Sequence, residues 1–271
     1  MKNNTEDKCE AEIFKNITPL VEHFQNQGTC KSIDTEFQKQ IENEMKMMDE
    51  YLDHIEQTDS PITCSEVKTV LNKLKMGKAS GPDKILNEIL KYSKTATLNA
   101  YTKLFNIIFK SGCYPKMWEQ SYIITIHKSG DKYDLNNYRG IALMNCLSKI
   151  FSAVLNNRMK IFMENKYNNS QFGFRENYRT SDSLFILKSL INKYLHKCKQ
   201  KIYVCFVDLQ KSFDSLWRVG LLYKLHKLGI GKYMYTIIKN QFDNTLGSFK
   251  YKDLYSKFFL KQIKVYDRVI Q

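Results

Sequence analysis

A chain of 271 residues, 43% of them hydrophobic, can bury a core as one large or two small domains. Seven cysteines without a Cys-x-x-Cys pair argue against a zinc site or a disulfide framework. No stretch approaches the roughly 20 apolar residues of a membrane span, and the polar start lacks an apolar signal region. We therefore expect an intracellular protein, cytoplasmic or nuclear, that is not secreted and has no membrane partner.

The formal net charge of +14 is distributed unevenly along the chain. Residues 1–60 hold 6 basic and 14 acidic side chains, a net charge of −8, whereas residues 61–182 carry +10 and residues 183–271 carry +12. A basic excess confined to the chain beyond residue 60 favours a polyanionic partner such as nucleic acid. A lysine-rich proteome is the alternative explanation.

The acidic segment 1–60 is predicted to be helical. Apolar residues recur there every three or four positions, at Ile33, Phe37, Ile41, Met45, Met48, Leu52 and Ile55. This amphipathic stripe either packs on its own domain or binds a partner helix. Ser60-Pro61 ends the segment, and the capping-box spacing of Thr63 and Glu66 predicts a helix from about Cys64 to Gly77.

A loop rich in glycine and lysine follows, GKASGPDK, in which Lys78 is a candidate phosphate contact. Helices are predicted at about 85–93 and 98–110, and a strand at Tyr122–Ile126. The turn-rich stretch HKSGDKYDLNNYRGIAL then places Lys128 at one end and Arg139 at the other. Two such cations can grip a triphosphate, or they can be surface charges on a solvated hairpin tip.

Helices are predicted at about 146–164 and 181–198, on either side of the segment NSQFGFRENYRT. That segment interleaves aromatic and basic side chains, namely Phe172, Phe174, Arg175, Tyr178 and Arg179. The mixture suits stacking on bases and contact with backbone phosphate, although the aromatics can equally belong to a core.

The run Ile202–Val207 is short, β-branched and aromatic, and predicts a buried central strand. Asp208 follows at its carboxyl end, where a carboxylate can hold a divalent cation. Asp214 precedes a predicted leucine-rich helix, and we favour an N-cap role for it over metal binding. Beyond Asp214 the acids are isolated, at Asp243, Asp253 and Asp267, so ligands for a second metal are lacking.

The order of these segments resembles the reverse transcriptase domain of non-LTR (LINE-type) retrotransposons. The matching segments are GKASGPD, W-x-x-S-Y-I-I-T-I-H-K-S-G-D, NNYRGIAL, LSKIFSAVLNNRM, QFGFR and VDLQKSFD, within about residues 61–246. The resemblance implies a helix-rich α+β fold, the fingers and partial palm of a right-hand polymerase. Fingers would occupy residues 61–180 and the palm would begin at the strand before Asp208. An acidic helical segment, 1–60, would precede this region and a basic divergent tail, 247–271, would follow it.

The resemblance also implies a role for individual residues. Asp208 would be the first catalytic, metal-binding aspartate, and Lys128 and Arg139 would hold the incoming deoxynucleoside triphosphate. Phe213 would crowd the sugar 2′ position and so reject ribonucleotides. The segment associated with template and primer contains Gln171, Gly173 and Arg175.

By the same resemblance, the activity would be RNA-directed DNA synthesis. Two Mg²⁺ ions would promote addition of deoxynucleotides to the 3′-hydroxyl of a DNA primer on an RNA template. The family would also show a Gly-Val-x-Gln-Gly turn and a Tyr-x-Asp-Asp hairpin, where this chain reads VYDRVIQ. We therefore expect this truncated chain to be inactive, with a poorly packed tail after Gly247. The alternative function is that of a non-catalytic RNA- or DNA-binding remnant.

Overall fold

The computed structural model describes residues 18–27, 34–48, 52–209, 216–243, 245–252, 254–257 and 259–260. The chain divides into two compact units. Unit 1 comprises residues 1–155 and 211–271, and unit 2 comprises residues 156–210. Among the helices of the described residues, none combines the length and the apolarity needed to cross a bilayer.

The described part of the chain is rich in helix. The helices are α1 (Thr18–Gln27), α2 (Thr35–Met48), α3 (Glu56–Asp59), α4 (Cys64–Lys73), α5 (Asn87–Ser111), α6 (Lys116–Glu119), α7 (Cys146–Glu164), α8 (Thr180–Ile191), α9 (Arg218–Lys227) and α10 (Lys232–Asp243). A 3₁₀ turn, Leu135–Asn137, precedes the second strand, and a π-helical turn, Asn192–Lys197, continues α8.

A small mixed sheet lies in unit 1. Its strands are β1 (Gln120–His127), β2 (Tyr138–Met144), β3 (Leu246–Tyr251), β4 (Leu254–Tyr255) and β5 (Phe259–Leu260), in the order β2-β1-β3-β4 with β5 also paired to β3. β1 runs antiparallel to β2 and parallel to β3. The expectation of a poorly packed tail is wrong for residues 247–251, because β3 pairs with β1 and buries Ser248 and Phe249.

One face of this sheet packs against α1. The cluster consists of Leu20, Phe24, Ile123, Tyr138, Ala142 and Phe249, and the rings of Phe24 and Phe249 lie 5.3 Å apart. At Gly140 a Cβ atom would come within 3.2 Å of the Ile123 side chain and 3.4 Å of the Phe24 ring. Glycine therefore permits α1 to approach the sheet closely, and α1 covers this face.

A second core joins α5, α6 and α7. The Phe105 ring lies 5.3 Å from the Phe151 ring and 6.1 Å from the Trp118 ring, and Phe105 and Phe151 are fully buried. The two helices predicted at 85–93 and 98–110 are a single helix, α5, so that boundary prediction was wrong. The intervening sequence contains no glycine or proline, and Thr97 Oγ1 donates to Ser93 O at 2.9 Å within the helix.

The predicted capping box is confirmed at the start of α4. Thr63 Oγ1 accepts from Glu66 N at 3.3 Å, and Thr63 N donates to Glu66 Oε2 at 2.8 Å. The helix ends at Lys73, before the predicted limit at Gly77. The prediction of a helix at 146–164 is confirmed by α7.

Helix α2 packs within unit 1. Its buried residues are Ile41 and Met45, which belong to the predicted apolar stripe. Tyr223 Oη on α9 donates to Glu44 Oε2 at 2.8 Å, and His226 Nε2 lies 3.2 Å from Met48 O. Of the two alternatives for the stripe, the structure therefore supports packing on its own domain.

The N-terminus of α10 is capped by a distant carboxylate. Asp59 is 2% exposed, and its Oδ1 accepts from Met234 N at 3.1 Å. Gly231 N donates to Thr58 Oγ1 at 3.0 Å. A Cβ atom at residue 231 would lie 2.4 Å from the Asp59 carboxyl group, so glycine is required there. Because the first N–H groups of a helix lack partners inside it, α3 supplies the cap that α10 needs.

Unit 2 contains the end of α7, α8 and the segment 201–209, which has no regular secondary structure. The prediction of a buried strand at Ile202–Val207 is wrong: Tyr203 is 89% exposed and Phe206 is 84% exposed. β-branched and aromatic residues stabilise a strand by packing against neighbouring strands. Within the described residues, no strand pairs with this segment.

Candidate nucleotide and nucleic-acid site

The β1–β2 hairpin brings Lys128 and Arg139 to the same face of the sheet. Arg139 pairs with Ile126, and Lys128 N donates to Asn137 O at 2.8 Å, which continues the register by one pair. Side chains alternate between faces along a strand, so Lys128 and Arg139 point to one side. Diagonal neighbours of this kind have Cα atoms about 7–8 Å apart, within reach of two long side chains.

The tip of this hairpin is held by its own polar residues. Asp131 Oδ1 accepts from Tyr133 N at 3.0 Å, and Asp134 Oδ1 accepts from Asn136 N at 2.9 Å. Asn137 Nδ2 donates to Asp131 O at 2.8 Å. These Asx-type turns fix the chain between the two strands. The tip therefore fixes the strand register that places the two cations.

The glycine-rich loop carrying Lys78 is docked on the junction of β2 and α7. Asp83 N donates to the buried Asn145 Oδ1 at 3.2 Å, and a Cβ atom at Gly81 would lie 2.5 Å from Asn145 N. Burial raises the pKa of the Asp83 carboxyl above its usual value, against the opposing effects of the Ile85 N–H and the Lys149 charge. Lys78 itself is exposed.

In unit 2 the segment that contains Gln171, Gly173 and Arg175 is a surface turn. Gln171 Nε2 donates to Gly173 O at 2.9 Å, and both residues are exposed. The Arg175 side chain is 9% exposed, because Nε donates to Glu164 Oε1 at 2.9 Å and the guanidinium lies 4.3 Å from the Tyr178 ring centroid. Arg175 therefore anchors the turn, while Gln171 and Gly173 lie on its outer surface.

Asp208 is exposed on the irregular segment of unit 2. In the part of the chain that the structure describes, there is no group of three His, Cys, Asp or Glu side chains that could hold a metal ion. Phe213 and Asp214, the predicted sugar-contacting aromatic and N-cap, lie outside the described residues. The structure thus places Lys128 and Arg139 in unit 1 and Gln171, Gly173, Arg175 and Asp208 in unit 2.

Sequence reasoning missed one cluster on the sheet. Lys250 Nζ lies 5.6 Å from the Tyr122 ring centroid and 5.4 Å from that of Tyr255, and the two rings are 5.1 Å apart. The only signal in the sequence is the alternation of lysine and aromatic residues in FKYKDLYSK, residues 249–257. The contribution of Tyr122, which is far away in sequence, depends on the β1–β3 pairing.

The family profile described as "Reverse transcriptase (RNA-dependent DNA polymerase)" matches residues 126–262, about half of the chain. This match begins in β1 and includes the hairpin with Arg139, the Gln171–Arg175 turn, Asp208 and the sheet as far as β5. The chain therefore belongs to the reverse transcriptase family.

The chain is similar to curated proteins whose names describe them as polymerases of mobile elements. It is 31% identical over 203 residues to the "RNA-directed DNA polymerase from mobile element jockey" of Drosophila melanogaster, a match that covers 72% of this chain and 22% of that protein. It is 28% identical to the "Probable RNA-directed DNA polymerase from transposon BS", with 72% and 22% covered, and 29% identical to that from "transposon X-element", with 81% and 23% covered, both of Drosophila melanogaster. The chain thus spans about a fifth of the length of these relatives.

These matches confirm the resemblance to the reverse transcriptase domain of non-LTR retrotransposons. Reverse transcriptases act on nucleic-acid templates and deoxynucleoside triphosphates, and they use divalent metal ions. A two-metal site needs several oxygen ligands, and among the described residues no group of three His, Cys, Asp or Glu side chains forms one.

Proposed function

We propose that this chain supplies the fingers and the first part of the palm of an RNA-directed DNA polymerase. In this role it holds an RNA template, a DNA primer and an incoming deoxynucleoside triphosphate. The observation that carries the proposal is the shared face of Lys128 and Arg139 on the β1–β2 hairpin. The family match, which extends from β1 to β5, supports it.

The hairpin face suits a polyphosphate on electrostatic grounds. The Arg139 guanidinium offers a planar fork of N–H donors, and the Lys128 ammonium offers a point charge. Ile126 lies opposite Arg139 and is 49% exposed, so a partly exposed apolar side chain lies beside the cations.

We call the pair of Lys128 and Arg139 the nucleotide grip. Other residues have proposed roles in addition to it. Gln171 and Gly173, with Arg175 as the anchor beneath them, would contact template and primer, and Lys78 would contact phosphate from its docked loop. Phe213 would crowd the 2′ position of the incoming sugar. Asp208 would contribute one oxygen ligand to Mg²⁺, a hard cation that favours carboxylates.

Nucleotide binding tests the grip. We expect Arg139→Ala to weaken binding of a deoxynucleoside triphosphate by about tenfold or more, since a hydrogen bond to a charged group is worth about 1.5–3 kcal/mol. Lys128→Ala should weaken it by less. Lys103→Ala, an exposed lysine on α5, is the matched control and should leave the dissociation constant unchanged. Equal affinities in all four proteins, measured by isothermal titration calorimetry, would refute the grip.

Nucleic-acid binding without catalysis is a second candidate function, favoured by the exposed carboxylate of Asp208, which belongs to no group of three potential metal ligands among the described residues. On that alternative the 271-residue chain gives no primer extension with Mg²⁺ or Mn²⁺, and Asp208→Ala leaves the result unchanged. Binding to primer-template would still be present and would fall steeply as salt is added, because lysines and arginines displace counterions from phosphate. Extension that disappears in Asp208→Ala would instead favour the polymerase.

A further inference from the structure

We propose that Tyr122, Lys250 and Tyr255 form a stacking platform for unpaired bases of single-stranded RNA. The inference deepens the proposed function and rests on it for the identity of the strand, which would be the template. The platform would contact the bases and backbone of the strand, whereas Lys128 and Arg139 would contact the triphosphate of the incoming nucleotide. The platform lies wholly within unit 1, on β1, β3 and β4.

The strand register places the three side chains on one face. Lys250 and Tyr255 are a cross-strand pair between β3 and β4. Tyr122 on β1 pairs with Ser248, two residues before Lys250 on β3. Paired residues share a face, and residues two apart on a strand share it as well. The side chains therefore converge although Tyr122 and Lys250 are far apart in sequence.

The same alternation connects the platform to the nucleotide grip. Tyr122 and Lys128 are separated by an even number of positions on β1 and its extension, so they project from the same face. Arg139 shares that face through its pairing with Ile126. The opposite face is the one covered by α1, whose partners include Ile123 and Phe249. A single strand lying along this face could therefore contact the platform while a nucleotide occupied the hairpin end.

The geometry of the cluster suits a base and its phosphate. The Tyr122 and Tyr255 rings are inclined at 52°, and the Lys250 ammonium lies against both. Tyr255 is 49% exposed, which leaves part of its ring accessible. Residues 246–257 carry three lysines and one aspartate, so the surroundings are positive. Aromatic rings beside cations are the arrangement with which proteins bind single strands without sequence preference.

The test measures the affinity of the full chain for RNA of about 12 nucleotides by fluorescence anisotropy. This length lies within the roughly 4–16 nucleotides that one single-strand-binding fold covers. Parallel arms use DNA of the same sequence, an abasic strand and a blunt RNA duplex. Tyr255→Leu removes the ring, Tyr255→Phe keeps it, and Lys250→Gln removes the charge. Tyr92→Leu, a tyrosine on α5 that is 79% exposed, is the matched control.

We expect Tyr255→Leu to weaken single-stranded RNA binding by about tenfold, with Tyr255→Phe and Tyr92→Leu close to the parent protein. The abasic strand and the duplex should bind with the same affinity to Tyr255→Leu and to the parent, whereas Lys250→Gln should weaken both. An equal loss on normal and abasic strands, or no loss at all, would refute base stacking. Tighter binding of DNA than of RNA would refute the template assignment.

Two further measurements keep the outcome decisive. Photo-crosslinking of 5-iodouridine RNA to the unaltered chain should label residues 120–127 or 246–257, and labelling confined to other segments would overturn the platform even if a variant failed to fold. Binding of deoxynucleoside triphosphate should be unaffected by Tyr255→Leu. If Tyr255→Leu binds RNA as tightly as the parent protein while Arg139→Ala still weakens nucleotide binding, the platform alone is refuted. If Arg139→Ala leaves nucleotide binding unchanged, the proposed function is refuted.

Discussion

In unit 1 the rings of Phe105 and Phe151 lie 5.3 Å apart and both side chains are fully buried, whereas in unit 2 Phe185 and Phe206 are 71% and 84% exposed. All residues of α8 are described and none is buried, although the helix contains Leu184, Phe185, Ile186 and Leu190. Hydrophobic residues make up a similar share of the sequence of each unit, but many of these residues are buried in unit 1 and none is buried on α8. An amphipathic or apolar element forms a core only where a second layer faces it.

The sheet and its helices provide that second layer in unit 1. Ile123 and Ala142 on neighbouring strands face α1, while Trp118 and Phe105 close the core between α5 and α6. In unit 2 the π-helical turn follows α8 directly, and the segment after it has no regular secondary structure. Hydrophobic residues of α8 and of the segment 201–209 should consequently respond to truncation very differently from the core residues of unit 1.

The largest expected effect separates the two cores. Phe105→Ala should lower the free energy of unfolding by about 3–5 kcal/mol, since it leaves a cavity beside Trp118 and Phe151. Phe206→Ala, the matched truncation in unit 2, should change it by no more than about 0.5 kcal/mol because the side chain is exposed. Urea denaturation followed by circular dichroism measures both. Similar losses in the two variants would mean that Phe206 is packed in solution.

A second effect compares two helix caps. Asp59→Ala should destabilise the protein by about 2 kcal/mol, because it removes a buried acceptor and leaves the Met234 N–H unpaired. Asp182→Ala removes the acceptor of the Arg179 N–H at the exposed start of α8, and should cost about 0.5–1 kcal/mol.

Asp59→Asn retains an acceptor oxygen and serves as the control for this comparison. It should lie between Asp59→Ala and the parent protein in the same urea titration. If Asp182→Ala proved the more damaging of the two alanine variants, the capping of α10 by α3 would not be a main contributor to stability.

The smallest effect concerns pH. Burial raises the folded-state pKa of Asp83, so the folded protein retains this proton to higher pH than the unfolded chain. This contribution to stability is fully present below the unfolded pKa and is lost as pH rises through the raised folded pKa. In Asp83→Asn, Tm should therefore fall less, or rise more, between acidic and neutral pH than in the parent protein, by an amount limited by the partial exposure of the carboxyl group. A parallel Tm–pH curve for the variant would contradict the assignment.

The sequence by itself determined the features that depend on nearby residues. The Thr63–Glu66 capping box involves groups three residues apart, and the bounds of α7 follow from a continuous helical periodicity. The sequence also marked Lys128 and Arg139 as the two ends of one turn-rich stretch, but the register of β1 and β2 that places them on one face is known only from the structure. Family membership followed from the order of such local motifs.

Tertiary structure decided the features that join distant residues. Asp59 meets Met234 across 175 positions, and Tyr122 meets Lys250 only because β3 pairs in parallel with β1. The local sequence pattern could not predict that Ile202–Val207 is exposed. A strand-forming composition yields a strand only when a neighbouring strand supplies hydrogen bonds and packing. Local hydrogen bonds and periodicity are encoded within a few residues, whereas pairing and burial depend on which distant segment lies opposite.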